Sequence, residues 1–175
     1  LPTADATFKR FGSLKYKTGD GLKFDITTLR KESSYEDSRH PNKVIFVKDL
    51  KEDYLRRDFT VNALYMNKDL KVIDYCNGQE DLKNNILRMV GDPDTRIKED
   101  PLRILRAIRF HLMHHLKIEE SLLKAMHGNF YLLRNITDAK IRSELNKIDD
   151  TVVDKKEKMD IFAQFDIANL VGVIK

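Results

Sequence analysis

Side chains alternate between the two faces of a strand and return to one face of a helix every three or four residues. The first third of the chain follows the first rule. FKRFGSLKYK and LKFDITTL, rich in β-branched and aromatic residues, flank the turn TGDG and predict a hairpin. In its second strand Phe24, Ile26 and Thr28 share one face and Lys23, Asp25 and Thr27 the other, so Asp25 points away from the apolar face. A polar stretch, RKESSYEDSRHPN, leads to KVIFVK, a further strand, and DLKEDYLRRDFTVNAL then shows helical spacing at Leu50, Tyr54 and Val61. ALYMN and LKVIDYC, joined by a turn at Lys68 and Asp69, predict a second hairpin; NGQEDLKNN predicts a helical turn and ILRMVG a short strand. Tyr16, Phe24, Phe46 and Phe59 are assigned to the sheet core.

After GDPDTRIKED the period changes. Pro101 suits the first position of a helix and Asp100 its cap, and PLRILRAIRFHLMHHL, IEESLLKAMHGNF and DAKIRSELNKI follow as successive helices. The pattern is therefore α+β, with a sheet-rich part followed by an all-α part.

Composition narrows the classes. Of 175 residues 41% are hydrophobic, enough for a packed core. Charged residues make up 34%, but the signs are mixed along the chain, which excludes a disordered polyelectrolyte. The formal charge of +4 suits a polyanionic partner without requiring one. Cys76 is the single cysteine, which excludes an intrachain disulfide. With no signal peptide and no long apolar span, a cytoplasmic setting without a membrane partner is expected. The start at Leu1 without a methionine and the stop at Lys175 within an apolar run raise the expectation of a longer parent protein.

Asp100, Arg103, Arg106 and Arg109 follow one another at intervals of three, which on a helix makes a slanting charged stripe beside an apolar face of Leu102, Leu105, Ile108 and Leu112. A generic stripe of this kind is a solvated face. Three arginines and no lysine point instead to phosphate or base edges, which match the planar guanidinium fork. A carboxylate accepts and a guanidinium donates, so an aspartate–arginine pair complements the amino group and ring nitrogen shared by adenine and cytosine. Arg56, Arg57, Asp58 and Asn62 in LRRDFTVNA form a second compact set, suited either to a phosphate and ribose hydroxyls or to an exposed basic turn paired with its own aspartate. His111, His114 and His115 lie on one helix but lack an evident complement of further ligands, so no metal is assigned to them.

These residues carry a family resemblance. RRDFTVNAL resembles the RRDFTINAL motif of class II (bacterial-type) tRNA nucleotidyltransferases and the related poly(A) polymerases, and EDPLRILRAIRF resembles their nucleotide-selecting EDxxR motif. Between the two, DYCNGQEDLKNNILRMVGDP is similar to the family's connecting motif around G-x-x-D-L, and DAKIRSEL to its ERIxxEL segment, with Lys140 for the usual arginine. The motifs cover roughly residues 22 to 145.

The resemblance implies a polymerase-β-like nucleotidyltransferase head with a mixed sheet, followed by an all-α neck, with ATP and CTP bound between them. Arg57 would then contact the nucleotide, Asp58 and Asn62 would lie near the ribose, Asp100 and Arg103 would mimic a Watson–Crick partner, and Arg106 and Arg109 would hold the nucleotide and its phosphates. The implied division is a head over 1–91, a neck over 92–150 and the start of a helical body over 151–175. The family's glycine loop and D-x-D metal pair, which hold Mg²⁺, would precede Leu1, while Asp25 sits where an additional strand carboxylate would approach the metal. The implied function is addition of C and A from CTP and ATP to the 3′ end of tRNA, this chain supplying nucleotide binding and base selection. A poly(A) polymerase of the same family and a catalytically inactive nucleotide- or RNA-binding module remain as alternatives; the oligomeric state stays open.

Overall fold

The computed structural model describes residues 12–32 and 44–172. They fall into two compact units that part between Arg56 and Arg57. Residues 57–91, read from the sequence as the end of the head, belong to the second of these units. The start of the expected first strand, FKRF, and most of the polar stretch before KVIFVK lie outside the described residues.

In the first unit β1 (Ser13–Lys17) and β2 (Lys23–Thr27) pair antiparallel with Tyr16 opposite Phe24, as the flanking alternation predicts. Gly21 closes the turn at φ +93°, a backbone region in which a side chain would be strained. β3 (Arg30–Glu32) pairs antiparallel with β4 (Val44–Phe46); β3 starts the stretch read as merely polar. α1 (Leu50–Asp53) is capped by Asp49, whose carboxylate accepts from the Lys51 N–H at 2.8 Å. Asp53 is wholly buried and accepts from the Arg30 N–H (2.9 Å) and Arg56 Nε (2.8 Å). The sheet-core assignment fails for Phe24 and Phe46, which are 48% and 53% exposed. Among the described residues each sheet of this unit has two strands, and a two-stranded ribbon carries too little covering material to bury aromatic rings.

The second unit holds the core. β5 (Tyr65–Met66) and β6 (Val72–Ile73) form the expected second hairpin, and α2 (Gly78–Lys83) the expected helical turn. β7 (Ile86–Leu87) pairs parallel with β8 (Lys117–Ile118), so a short ladder runs through the part read as all-α. β8 escapes the sequence pattern because His115, at φ +53°, ends the preceding helix and turns Lys117 toward the Asn85 carbonyl (2.7 Å). The helices are α3 (Pro93–Glu99), α4 (Leu102–His114), α5 (Glu120–Asn129), α6 (Asp138–Leu145), α7 (Lys155–Gln164) and α8 (Ile167–Gly172). In α4 Leu102, Leu105, Ile108 and Leu112 are all buried, as their spacing predicts, and Ile104 and Ala107 are buried with them.

The helix expected from Leu50 through Val61 is interrupted. Only α1 and two 3₁₀ turns, Tyr54–Arg56 and Thr60–Asn62, form along it. Phe59 is extended (φ −120°, ψ 150°) because its segment pairs antiparallel with residues 88–90: Thr60 N–H donates to the Arg88 carbonyl (3.0 Å) and Val90 N–H to the Asp58 carbonyl (2.9 Å). The Phe59 ring enters the core beside Leu87 and Met89, and that burial outweighs the local helical preference. No helix among the described residues is long and apolar enough to cross a membrane.

Candidate nucleotide site

The 57–62 segment and α4 meet at a carboxylate. Asp58 is buried; its Oδ2 accepts from Arg106 Nε at 2.8 Å and from Arg106 Nη2, and its Oδ1 from the Phe59 N–H (2.9 Å) and Asn62 Nδ2 (3.0 Å). Burial pushes the Asp58 carboxyl up, but the Arg106 charge and these hydrogen bonds outweigh it and hold the group below the ordinary carboxylate range. The reciprocal holds for Arg106: burial disfavours its charge, and Asp58, followed by Glu144 and Asp100, more than restores it. Asp58 thus fixes both Arg106 and Asn62, of which Asn62 stands exposed and Arg106 is 28% exposed at its side chain.

The stripe on α4 is not a solvated face. Arg103 is 5% exposed; its Nη1 donates to the Arg96 carbonyl at the end of α3 and to Glu99 at 3.1 Å. Arg109 Nε lies 3.5 Å from Glu144 of α6, and its guanidinium sits 5.4 Å from the Phe110 ring centre. Each arginine thus meets a carboxylate from a different element: Glu99 for Arg103, Asp58 for Arg106, Glu144 for Arg109. Asp100 is extended and half-buried, and its carboxylate accepts from the Leu102 N–H at 3.1 Å, the capping bond foreseen for it. Glu144 of α6 also accepts from Lys147 at 2.6 Å, so it meets both Arg109 and Lys147.

Arg57 presents its guanidinium 5.5 Å from the Tyr65 ring centre, and its carbonyl accepts from Arg96 Nη2 at 3.1 Å. Arg96 also pairs with Glu99, so one chain of contacts runs from Arg57 through Arg96 and Glu99 to Arg103. Arg96, Glu99 and Glu144 are the members that sequence reading left out of the site, although all three lie within or beside the quoted motifs. Arg56 belongs to the first unit, where Asp53 and the Arg30 carbonyl (3.1 Å) take its guanidinium; Asp25 is in that unit too, exposed on β2 opposite Lys15. Among the histidines, His111 Nδ1 lies 2.9 Å from the Leu116 carbonyl and Nε2 3.4 Å from Glu157, while His114 packs on Phe110. Among the described residues there is no group of three or more histidine, cysteine, aspartate or glutamate side chains able to hold a metal ion.

The α4 arginines are thus each held by a carboxylate, and a guanidinium fork fixed in this way is suited to phosphate and base edges.

Comparison with known proteins agrees with the motifs. Residues 2–88 match the family model described as the poly A polymerase head domain. The CCA-adding enzyme of Lactobacillus helveticus is 47% identical over 128 residues, which are 73% of this chain and 32% of that protein. The crystal structure of the Bacillus stearothermophilus CCA-adding enzyme in complex with CTP superposes with a TM-score of 0.74 at 30% identity, covering 85% of this chain and 35% of that one. A tRNA nucleotidyltransferase complexed with a primer tRNA and an incoming ATP analog gives a TM-score of 0.75 at 28% identity, covering 96% of this chain and 47% of that one. The chain spans about a third of the length of the curated relatives it matches. With both motif segments joined in one site and these relatives alongside, the chain belongs to the class II tRNA nucleotidyltransferase and poly(A) polymerase family, with the family's polymerase-β-like head followed by a helical region.

Proposed function

We propose that the protein containing this chain is a CCA-adding tRNA nucleotidyltransferase, which transfers C and A from CTP and ATP to the 3′ end of tRNA in the cytoplasm. This chain provides nucleotide binding and base selection. The observation that carries the reading is the buried Asp58–Arg106 pair, which joins the RRDFTVNA segment to the helix of EDPLRILRAIRF and so makes one site of two motifs. The CTP, primer tRNA and ATP analog bound to the structural relatives support it.

In this reading Arg57 and the outward groups of Asn62 and Arg106 grip the sugar and phosphates, Asp100 accepts from the amino group of cytosine or adenine, and Arg103 donates to the ring nitrogen. For Arg103 this requires that the incoming base replace part of its contact with Glu99 and the Arg96 carbonyl. Arg109, set by Glu144, adds positive charge on the phosphate side. The division into a head over 1–91, a neck over 92–150 and a body from 151 belongs to the same proposal. Magnesium, implied by the family, supplies activation of the terminal hydroxyl and neutralisation of the leaving pyrophosphate when bound. The described residues do not fit a metal centre, and only Asp25 is proposed from them, as a supporting carboxylate.

The test is Asp100→Asn in the full-length protein. The amide keeps an acceptor but adds a donor, so UTP or GTP should be admitted and discrimination should fall about tenfold or more in single-nucleotide competition. Wild-type selectivity in a folded Asp100→Asn variant would refute the base-reading role. The match to a poly(A) polymerase head keeps that activity as the second reading; incorporation of A alone onto unrelated RNA ends would select it.

A further inference from the structure

The site's sugar-side residues, Asp58 and Asn62, are the two ends of a short turn whose midpoint is Thr60, and every polar group of Thr60 is engaged. Its N–H donates to the Arg88 carbonyl (3.0 Å), its carbonyl accepts from the Ala63 N–H (3.0 Å), and its hydroxyl donates to Asp81 Oδ2 (2.7 Å). Asp81 is buried on α2, and Arg88 Nε bridges both its oxygens at 3.1 and 3.2 Å. Arg88 in turn approaches Glu119, the N-cap of α5, at 4.0 Å. α2 presses on the same residue from its first turn: a Cβ on Gly78 would lie 2.2 Å from the Thr60 carbonyl oxygen and 2.8 Å from its carbon. The threonine hydroxyl ties the midpoint of this turn to a carboxylate that Arg88 already holds. Its geometric effect is to set where residues 58 and 62 stand.

We propose that Asp81, acting through the Thr60 hydroxyl, is a positioning residue of the nucleotide site: α2 holds the turn in the one conformation that presents Asn62 beside Asp58 and Arg106. The inference rests on the nucleotidyltransferase reading above and adds to it a role for a helix that touches no substrate. Because Arg103 of α4 is held by Glu99 and the Arg96 carbonyl of α3 and Asp100 leads into the same helix, loosening the turn raises KM for both nucleotides alike and leaves the choice between them unchanged.

The experiment compares Thr60→Val, Thr60→Ser and Asp81→Asn in the full-length protein, measuring KM and kcat for CTP and for ATP, selectivity against UTP and GTP, and the thermal midpoint. Thr60→Val removes the donor at nearly constant shape and should raise both KM values about three- to tenfold, the worth of one buried hydrogen bond. Thr60→Ser retains the hydroxyl and should restore KM to near wild type; Asp81→Asn, which keeps an acceptor but weakens the hold of Arg88, should fall between. A lowered thermal midpoint with unchanged KM in Thr60→Val would overturn the proposal and leave the hydroxyl a purely structural contact, and Asp81→Asn decides the same question should the valine variant not fold. If the wild-type protein adds neither C nor A, the nucleotidyltransferase reading itself fails and takes this inference with it. An active wild type with an indifferent Thr60→Val removes the inference alone.

Discussion

Replacing Arg106 by methionine tests whether the Asp58–Arg106 pair is what holds the two motif segments together. Methionine preserves much of the aliphatic volume and removes both guanidinium hydrogen bonds to Asp58. Breaking a buried pair by deleting one partner costs about 3–5 kcal/mol. With more than a quarter of the Arg106 side chain open to solvent, screening lowers the expected loss to about 2–4 kcal/mol near neutral pH. The pH dependence carries the sharper signature. In the wild type the folded Asp58 carboxyl lies below its unfolded value, so its contribution is present above the unfolded carboxylate range and is lost as pH falls through the folded value. In the variant, burial is opposed only by the Asn62 and Phe59 hydrogen bonds, so the folded value rises and the penalty of the buried carboxylate is relieved by protonation at a higher pH than in the wild type. The difference between the two proteins should therefore be largest at about pH 7 and shrink toward about pH 4. Urea unfolding followed by far-UV circular dichroism reads it, since α2 to α8 all lie in the unit that holds the pair. Adding Asp58→Asn to the methionine variant should recover part of the loss, because the amide needs no counter-charge while its oxygen still accepts from the Phe59 N–H. A loss below about 0.5 kcal/mol at neutral pH, or one that does not vary with pH, would refute the reasoning.

Gly78→Ala should destabilise the chain by about 1–3 kcal/mol despite the better helix propensity of alanine, because the new methyl meets the Thr60 backbone, which cannot rotate aside as a side chain would; an unchanged or raised urea midpoint would contradict the close approach. The isolated chain, supplied with Mg²⁺, CTP, ATP and tRNA lacking its 3′ CCA, should show no incorporation while the full-length protein does. Comparable rates from the two would mean that a metal centre forms from residues of this chain alone.

Much of the architecture could be read from local order. The 3.6-residue period of Leu102, Leu105, Ile108 and Leu112 specified the buried face of α4, the Asp100–Pro101 pair its start, the Gly-containing turn the hairpin β1–β2 and the Lys68–Asp69 turn the hairpin β5–β6. These features depend on neighbours within a few residues, so a linear pattern contains them. The motif residues were likewise visible one by one, and with them the family.

Tertiary structure decided the rest, where the deciding contact is distant in sequence. Phe59 left its helical pattern because residues 88–90 offered it a ladder and a core, and β8 exists only because Asn85 and Leu87 lie within reach of Lys117 and Glu119. Phe24 and Phe46 show the converse: alternation says which residues share a face, but whether that face is covered depends on a second layer that no strand pattern contains. The arginines of α4 make the same point for the site. Their spacing placed them on one stripe, yet their partners come from α3, from the turn at residue 58 and from α6, brought together by the packing of those elements around α4. A side chain's position along a helix follows from its place in the chain, whereas its charge partner follows from which other element packs there, and that is fixed by burial of the whole core.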